Sequence, residues 1–228
     1  MTAQKPNTLT DSDFIQAAKT LRCDVSAIRA VAEIESPKGG FLYDEHAGEW
    51  RPTVLFERHI MYRRYKDKYG YDKAIALVNK NPDVINTKSG GYIGGESEHR
   101  RIEKARKFDK DIGLESASWG MFQIMGYHWQ ALGYKSVVDF VMTMSESEGK
   151  QLEIFVKFIQ ANKTLLNAIR AKDFDLFALT YNGADYRKNN YHVKMARANA
   201  KYASMNKAMN AWSWLPIYAS IFYQRCNT

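Results

Sequence analysis

Apolar residues recur every three or four positions along most of this 228-residue chain, and few runs alternate with period two. The spacing predicts a mainly α fold. Thr10 or Asp11 can cap a helix through about Leu21, and Asp24 or Ser26 a second one that Pro37 must stop. "VLFERHIMYRRYKDKYG" has helical spacing through Phe56, Ile60 and Arg63 or Arg64 up to Gly70, and another helix follows from Asp72 to Asn79. Glu98 to Ile112 alternates in charge, as an exposed helix does. Further helices are expected over Ser136–Met144, Glu146–Gln160, Thr164–Arg170 and, capped by Asp173, "FDLFALTYN", with a last one from Asn190 to about Met209. Between Phe41 and Val54 there is room for one short β-hairpin, and "SGGYIGGES" reads as turns. No repeat and no linker divides the chain, so a single domain over 1–228 is expected, with 210–228 as a tail.

Composition adds a bias in charge. Lys and Arg number 33 against 25 Asp and Glu, a net +8 that favours an anionic partner. The excess is local: after Asp185 no acidic residue occurs, while Arg187, Lys188, Lys194, Arg197, Lys201, Lys207 and Arg225 are basic. The tail adds Trp212, Trp214, Tyr218, Phe222 and Tyr223, a mixture suited to anionic lipid. Cys23 and Cys226 lack metal-ligand spacing and read as free thiols. The N-terminal stretch has no apolar run for a secretory signal, and no segment approaches the roughly 20 apolar residues of a membrane span. Synthesis in the cytoplasm is expected. The five histidines are scattered, and no motif asks for a metal or other cofactor.

The candidate chemistry sits at helix ends. Ile28, Val31, Ala32 and Glu35 share one face, so a carboxylate takes the last slot of an apolar stripe. Desolvation and the unpaired carbonyls of the final turn both favour its protonated form, as a general acid requires. Glu33 lies off that stripe, four residues after Arg29, and reads as its surface ion-pair partner. In "DFDLFALTYNG" the stripe Phe174, Phe177, Ala178 and Tyr181 ends in Tyr181 and Asn182, a ring and an amide suited to a polyol. In "SASWGMFQIMG", Gln123 stands among apolar neighbours, and a substrate amide can satisfy a buried glutamine.

Taken in order, "AEIES", "SASWGMFQIMG" and "ALTYNG" resemble the signature segments of the lysozyme-like superfamily, which includes goose-type lysozymes and lytic transglycosylases. The pattern with "FLYDEHAGEWRPTVLFERH", "GGYIGGESEHRR" and "FVKFIQAN" most resembles the N-acetylmuramidase family of phage endolysins, over roughly Asp13 to Asn210. The resemblance implies a two-lobed helical catalytic domain with a substrate groove. It also implies cleavage of the β-1,4 bond between N-acetylmuramic acid and N-acetylglucosamine in peptidoglycan. Glu35 would be the acid, with Ser36, Tyr92, Ser118, Gln123, Tyr181 and Asn182 as substrate-binding residues. Such a protein would act in the periplasm on the wall, as a monomer. The second carboxylate is open among Glu57, Asp44, Glu45 and Glu115, with Glu57 ranked first for its place in "FERH". Without one, a lytic transglycosylase making 1,6-anhydro ends is the alternative, and a wall-binding protein without catalysis is another. A helix-turn-helix over "DFIQAAKTLRCDVSAIRAVAEIES" is a further one, weakened by Glu33 and Glu35 on its second helix, so nucleic acid is not an expected partner.

Overall fold

A computed structural model describes residues 4–36 and 39–213. Among them are eleven α-helices and five short strands: α1 (Asp11–Leu21), α2 (Val25–Glu35), β1 (Phe41–Asp44), β2 (Glu49–Pro52), β3 (Val54–Phe56), α3 (Arg58–Tyr69), α4 (Tyr71–Lys80), α5 (Ser97–Arg106), α6 (Lys110–Glu115), β4 (Ala117–Trp119), β5 (Ile124–Met125), α7 (Val137–Met144), α8 (Glu148–Ala161), α9 (Lys163–Ala171), α10 (Phe174–Asn182) and α11 (Tyr191–Ser213). The mainly helical class stands. Ser136, Ser147 and Asp173 cap α7, α8 and α10, each side chain accepting a backbone N–H of the first turn. Pro37, the expected stop for α2, and Trp214 to Thr228 with Cys226 lie outside the described residues.

The described residues pack as two compact units, one of those up to Asp13 with those from Glu35 to Asn162, the other of Phe14–Ile34 with those from Lys163 onward. In the first, Phe56, Met61, Phe122, Phe140, Phe155 and Leu152 are buried, and the Phe122 and Phe155 rings stack with centroids 4.1 Å apart. In the second, Leu21, Ile28, Leu165, Ile169, Phe177 and Met195 form the core. There Glu33 bonds Lys201 and Tyr202 of α11. The guanidinium of Arg29 lies over the Phe14 and Tyr202 rings. Cys23 is a half-buried free thiol, pushed up to about 11 by burial and then by Asp24.

Two expectations fail in the first unit. The helical spacing from Val54 is a coincidence of three residues: Val54–Phe56 is a strand paired antiparallel to Ala117–Trp119, with Ile124–Met125 as the third strand. The helix begins only at Arg58. The hairpin expected between Phe41 and Val54 does form, pairing Phe41 with Pro52 and Asp44 with Glu49. The segment from Glu98 to Ile112 is not one helix, and only part of it is exposed. It breaks between α5 and α6, where the Asp109 carboxylate caps α6, and Glu98, His99 and Arg101 are buried.

Buried carboxylates of this unit tie its stability to pH. Burial alone would raise Asp44, Glu98 and Asp109, yet hydrogen bonds and ion pairs outweigh it and hold all three below the usual carboxylate range. For Asp44 the donors are the Ala47 and His46 amides with Arg51. For Glu98 they are the Gly94, Ile93 and Phe56 amides with Arg101, and for Asp109 they are Lys68, Tyr69 and the Ile112 amide. A depressed carboxylate stabilises the fold above its unfolded value of about 4 and loses that contribution as pH falls through the lower folded value. Melting temperature is therefore expected to hold between about pH 7 and 5 and to fall steeply below about pH 4. Asp109→Asn, which cannot lose such a charge, should show a shallower acid limb in calorimetry.

Candidate active site

A cleft of about 470 Å³ lies within the first unit. Glu35 and Ser36 line it from the end of α2, Phe41 and Leu42 from β1, Thr53 to Leu55 from β3 and the residue before it, and Gly94 and Gly95 from the glycine loop. Gly120, Met121 and Gln123 complete it. Glu35 ends the stripe of Ile28, Val31 and Ala32, one and two turns earlier in α2, all three of which are buried. The residue is half-buried and its Oε1 is shielded from solvent.

Gln123 lines the cleft, but its expected burial is not found. It is exposed, and its amide is engaged by the protein: Nε2 donates to Gly120 O at 2.8 Å, and Oε1 accepts from Ser118 Oγ at 2.7 Å. Its backbone is left-handed, with φ +49°, a conformation that costs a non-glycine residue roughly 1–3 kcal/mol and concentrates at functional sites. Ser118 itself is buried and holds Gln123 from beneath. Behind this wall Gln151 of α8, fully buried, accepts Met121 N–H at 2.8 Å and donates to Gly40 O at 3.1 Å and Met144 O at 2.9 Å. Gly120, with φ +72°, packs so closely that a Cβ would stand 2.8 Å from Gln151 Cδ. The glycine before the cleft glutamine is thus required twice over, by conformation and by space.

Glu57 begins the turn into α3 and is not among the cleft-lining residues. Tyr92 OH donates to its two carboxylate oxygens at 3.0 and 2.9 Å, and His59 Nδ1 stands 3.2 Å from Oε2. Burial and then the Glu57 contact push the Tyr92 phenol up, so it stays a donor. Of the other carboxylates weighed from sequence, those of Asp44 and Glu115 are committed elsewhere. Asp44 caps the β1–β2 turn and pairs with Arg51, and Glu115 holds Arg64 and the Trp129 indole. The exposed Glu45 takes part through its backbone N–H, which Glu96 accepts.

A family profile for N-acetylmuramidases matches residues 24–203. The chain belongs to the N-acetylmuramidase family. The crystal structure of the Burkholderia AP3 phage endolysin is similar, at 45% identity and a TM-score of 0.81, covering 88% of this chain and 74% of that one. No curated protein matches. The muramidase is a glycosidase acting on peptidoglycan in the bacterial cell wall.

Tyr181 and Asn182 of the muramidase end α10 in the second unit, before Gly183. The Tyr181 ring stacks on Phe177 with centroids 5.9 Å apart, and both Tyr181 and Asn182 are half-buried. Sequence reading missed Gln151 and Glu98 altogether. Nothing marked Gln151, and Glu98 was hidden by the charged residues around it. Among the described residues of the muramidase no cluster of three or more His, Cys, Asp or Glu is placed to hold a metal, and no helix is long and apolar enough to cross a membrane.

Proposed function

We propose that this muramidase is a phage endolysin that hydrolyses the β-1,4 bond from N-acetylmuramic acid to N-acetylglucosamine. Glu35 serves as its acid and Glu57 as the second carboxylate. The observation that carries the reading is Glu35 itself: a carboxyl group at the end of an apolar helix stripe, one oxygen shielded from water, on the wall of a cleft with Ser36 and Gln123. Glu35 gives its proton to the leaving glycosidic oxygen, and Glu57 stabilises the positive sugar ring and either attacks it or activates water. Tyr92 holds the Glu57 carboxylate by both oxygens, so its direction is set before substrate arrives. Gln123, Ser118, Tyr181, Asn182 and Ser36 are the polar groups assigned to the N-acetylated sugars. Mass spectrometry of digested sacculi tests the chemistry: reducing-end products are expected, and 1,6-anhydro ends would replace hydrolysis by transglycosylation.

In the same reading the muramidase is made in a host cytoplasm, which its likeness to a phage endolysin supports, and acts from the periplasm as a monomer. Nucleic acid is not a partner in this reading: α2, which a helix-turn-helix would send into the groove, buries Ser26 to Ile28 and Ala30 to Ala32 and carries Glu33 and Glu35. The basic and aromatic tail after Met209 contacts anionic lipid. Its deletion is expected to weaken lysis of intact Gram-negative cells several-fold while sparing isolated sacculi, and equal losses on both would discard the contact.

A further inference from the structure

We propose that Glu98 is a positioning residue of the muramidase, which sets the Glu57–Tyr92 pair by fastening together the two backbone segments that carry it. This rests on the reading of Glu57 as the second carboxylate. Glu98 is fully buried, and each of its oxygens holds a different segment. Oε1 accepts Ile93 N–H at 2.7 Å and Gly94 N–H at 2.9 Å, so it grips the glycine loop immediately after Tyr92. Oε2 accepts Phe56 N–H at 3.0 Å, the residue immediately before Glu57, and Arg101 Nη1 at 2.8 Å. Arg101 closes the arrangement by donating to Phe56 O at 3.3 Å and Asp83 O at 2.6 Å.

A buried ion pair is a poor way to gain stability alone, because apolar residues of the same volume often do as well or better. A carboxylate does what they cannot, accepting N–H groups from two directions with fixed lengths. The loop needs such a clamp. Gly94, at φ +83°, has open space where a Cβ would be, and Tyr92 and Ile93 are exposed, so little packing holds this stretch. With the clamp, Gly94 and Gly95 form a fixed wall of the cleft and Tyr92 stays on Glu57.

Glu98→Gln keeps the volume but turns one acceptor into a donor facing N–H groups. The expected result, on a soluble glycan oligomer well below the melting temperature, is a kcat at least tenfold lower with KM changed less than threefold. Because the effect runs through Tyr92, the Glu98→Gln/Tyr92→Phe variant should be no slower than Glu98→Gln alone, whereas a merely structural role makes the two losses multiply. A lowered melting temperature with kcat within twofold of wild type, or multiplying losses, overturns the proposal. If Glu98→Gln does not fold, replacing the Ile93 amide by an ester removes one donor to Oε1 and is judged by the same kcat criterion. Activity kept in Glu57→Gln would remove the reading of Glu57 and this proposal with it. Activity lost in Glu57→Gln but kept in Glu98→Gln would remove the proposal alone.

Discussion

Glu35→Gln is expected to leave the fold intact and to abolish wall clearing, with release of glycan from purified sacculi reduced by about a thousandfold. General acid catalysis contributes typically about 10²–10⁴-fold, and a glutamine has no proton to give a leaving alkoxide. The substitution is nearly isosteric, and the stripe that seats the helix end, Ile28, Val31 and Ala32, is untouched. Melting temperature should therefore stay within a few degrees of wild type while activity disappears. Retention of near-full activity in a folded Glu35→Gln protein would reject the assignment. Glu35→Asp serves as a second probe, because it keeps the proton but withdraws it by one methylene. A misplacement of about 1 Å can cost on the order of 10²-fold.

Glu57→Gln should lower activity by about 10²–10⁴-fold, through loss of the negative charge opposite the developing cation. Two controls separate charge from position. Asp44→Asn and Glu115→Gln remove carboxylates that cap a turn and pair with Arg64, and they are expected to lower stability while keeping the activity of the folded fraction. The stereochemistry of the product, followed by NMR of the newly formed anomer, then tells whether Glu57 attacks the sugar or activates water. Full activity in Glu57→Gln would pass the role to another group.

Much of this was legible along the chain. The helices are written in a period of 3.6 with their caps, and the interactions that make them span three or four residues, so α7 and α10 could be read with Ser136 and Asp173 at their starts, and the start of α8 to within two residues. The carboxylate ending the stripe of α2 was legible for the same reason. The three-stranded sheet was not. Its strands have three, three and two residues, too short to show alternation, and β3 finds its partner more than sixty residues away.

What the sequence by itself determined is most of the helices, the faces that α2 and α10 bury and the chemistry available at their ends. What only the tertiary structure decided is which polar groups meet. Glu98 looked like one charge among many on an exposed helix, yet it is buried because the Ile93, Gly94 and Phe56 amides and Arg101 converge on it. Gln123 looked buried, yet it is exposed and held by Ser118 and Gly120. The physical reason is that a helix is stabilised by its near neighbours, whereas a buried polar group is tolerated only where partners from distant segments arrive, and no local pattern records their arrival.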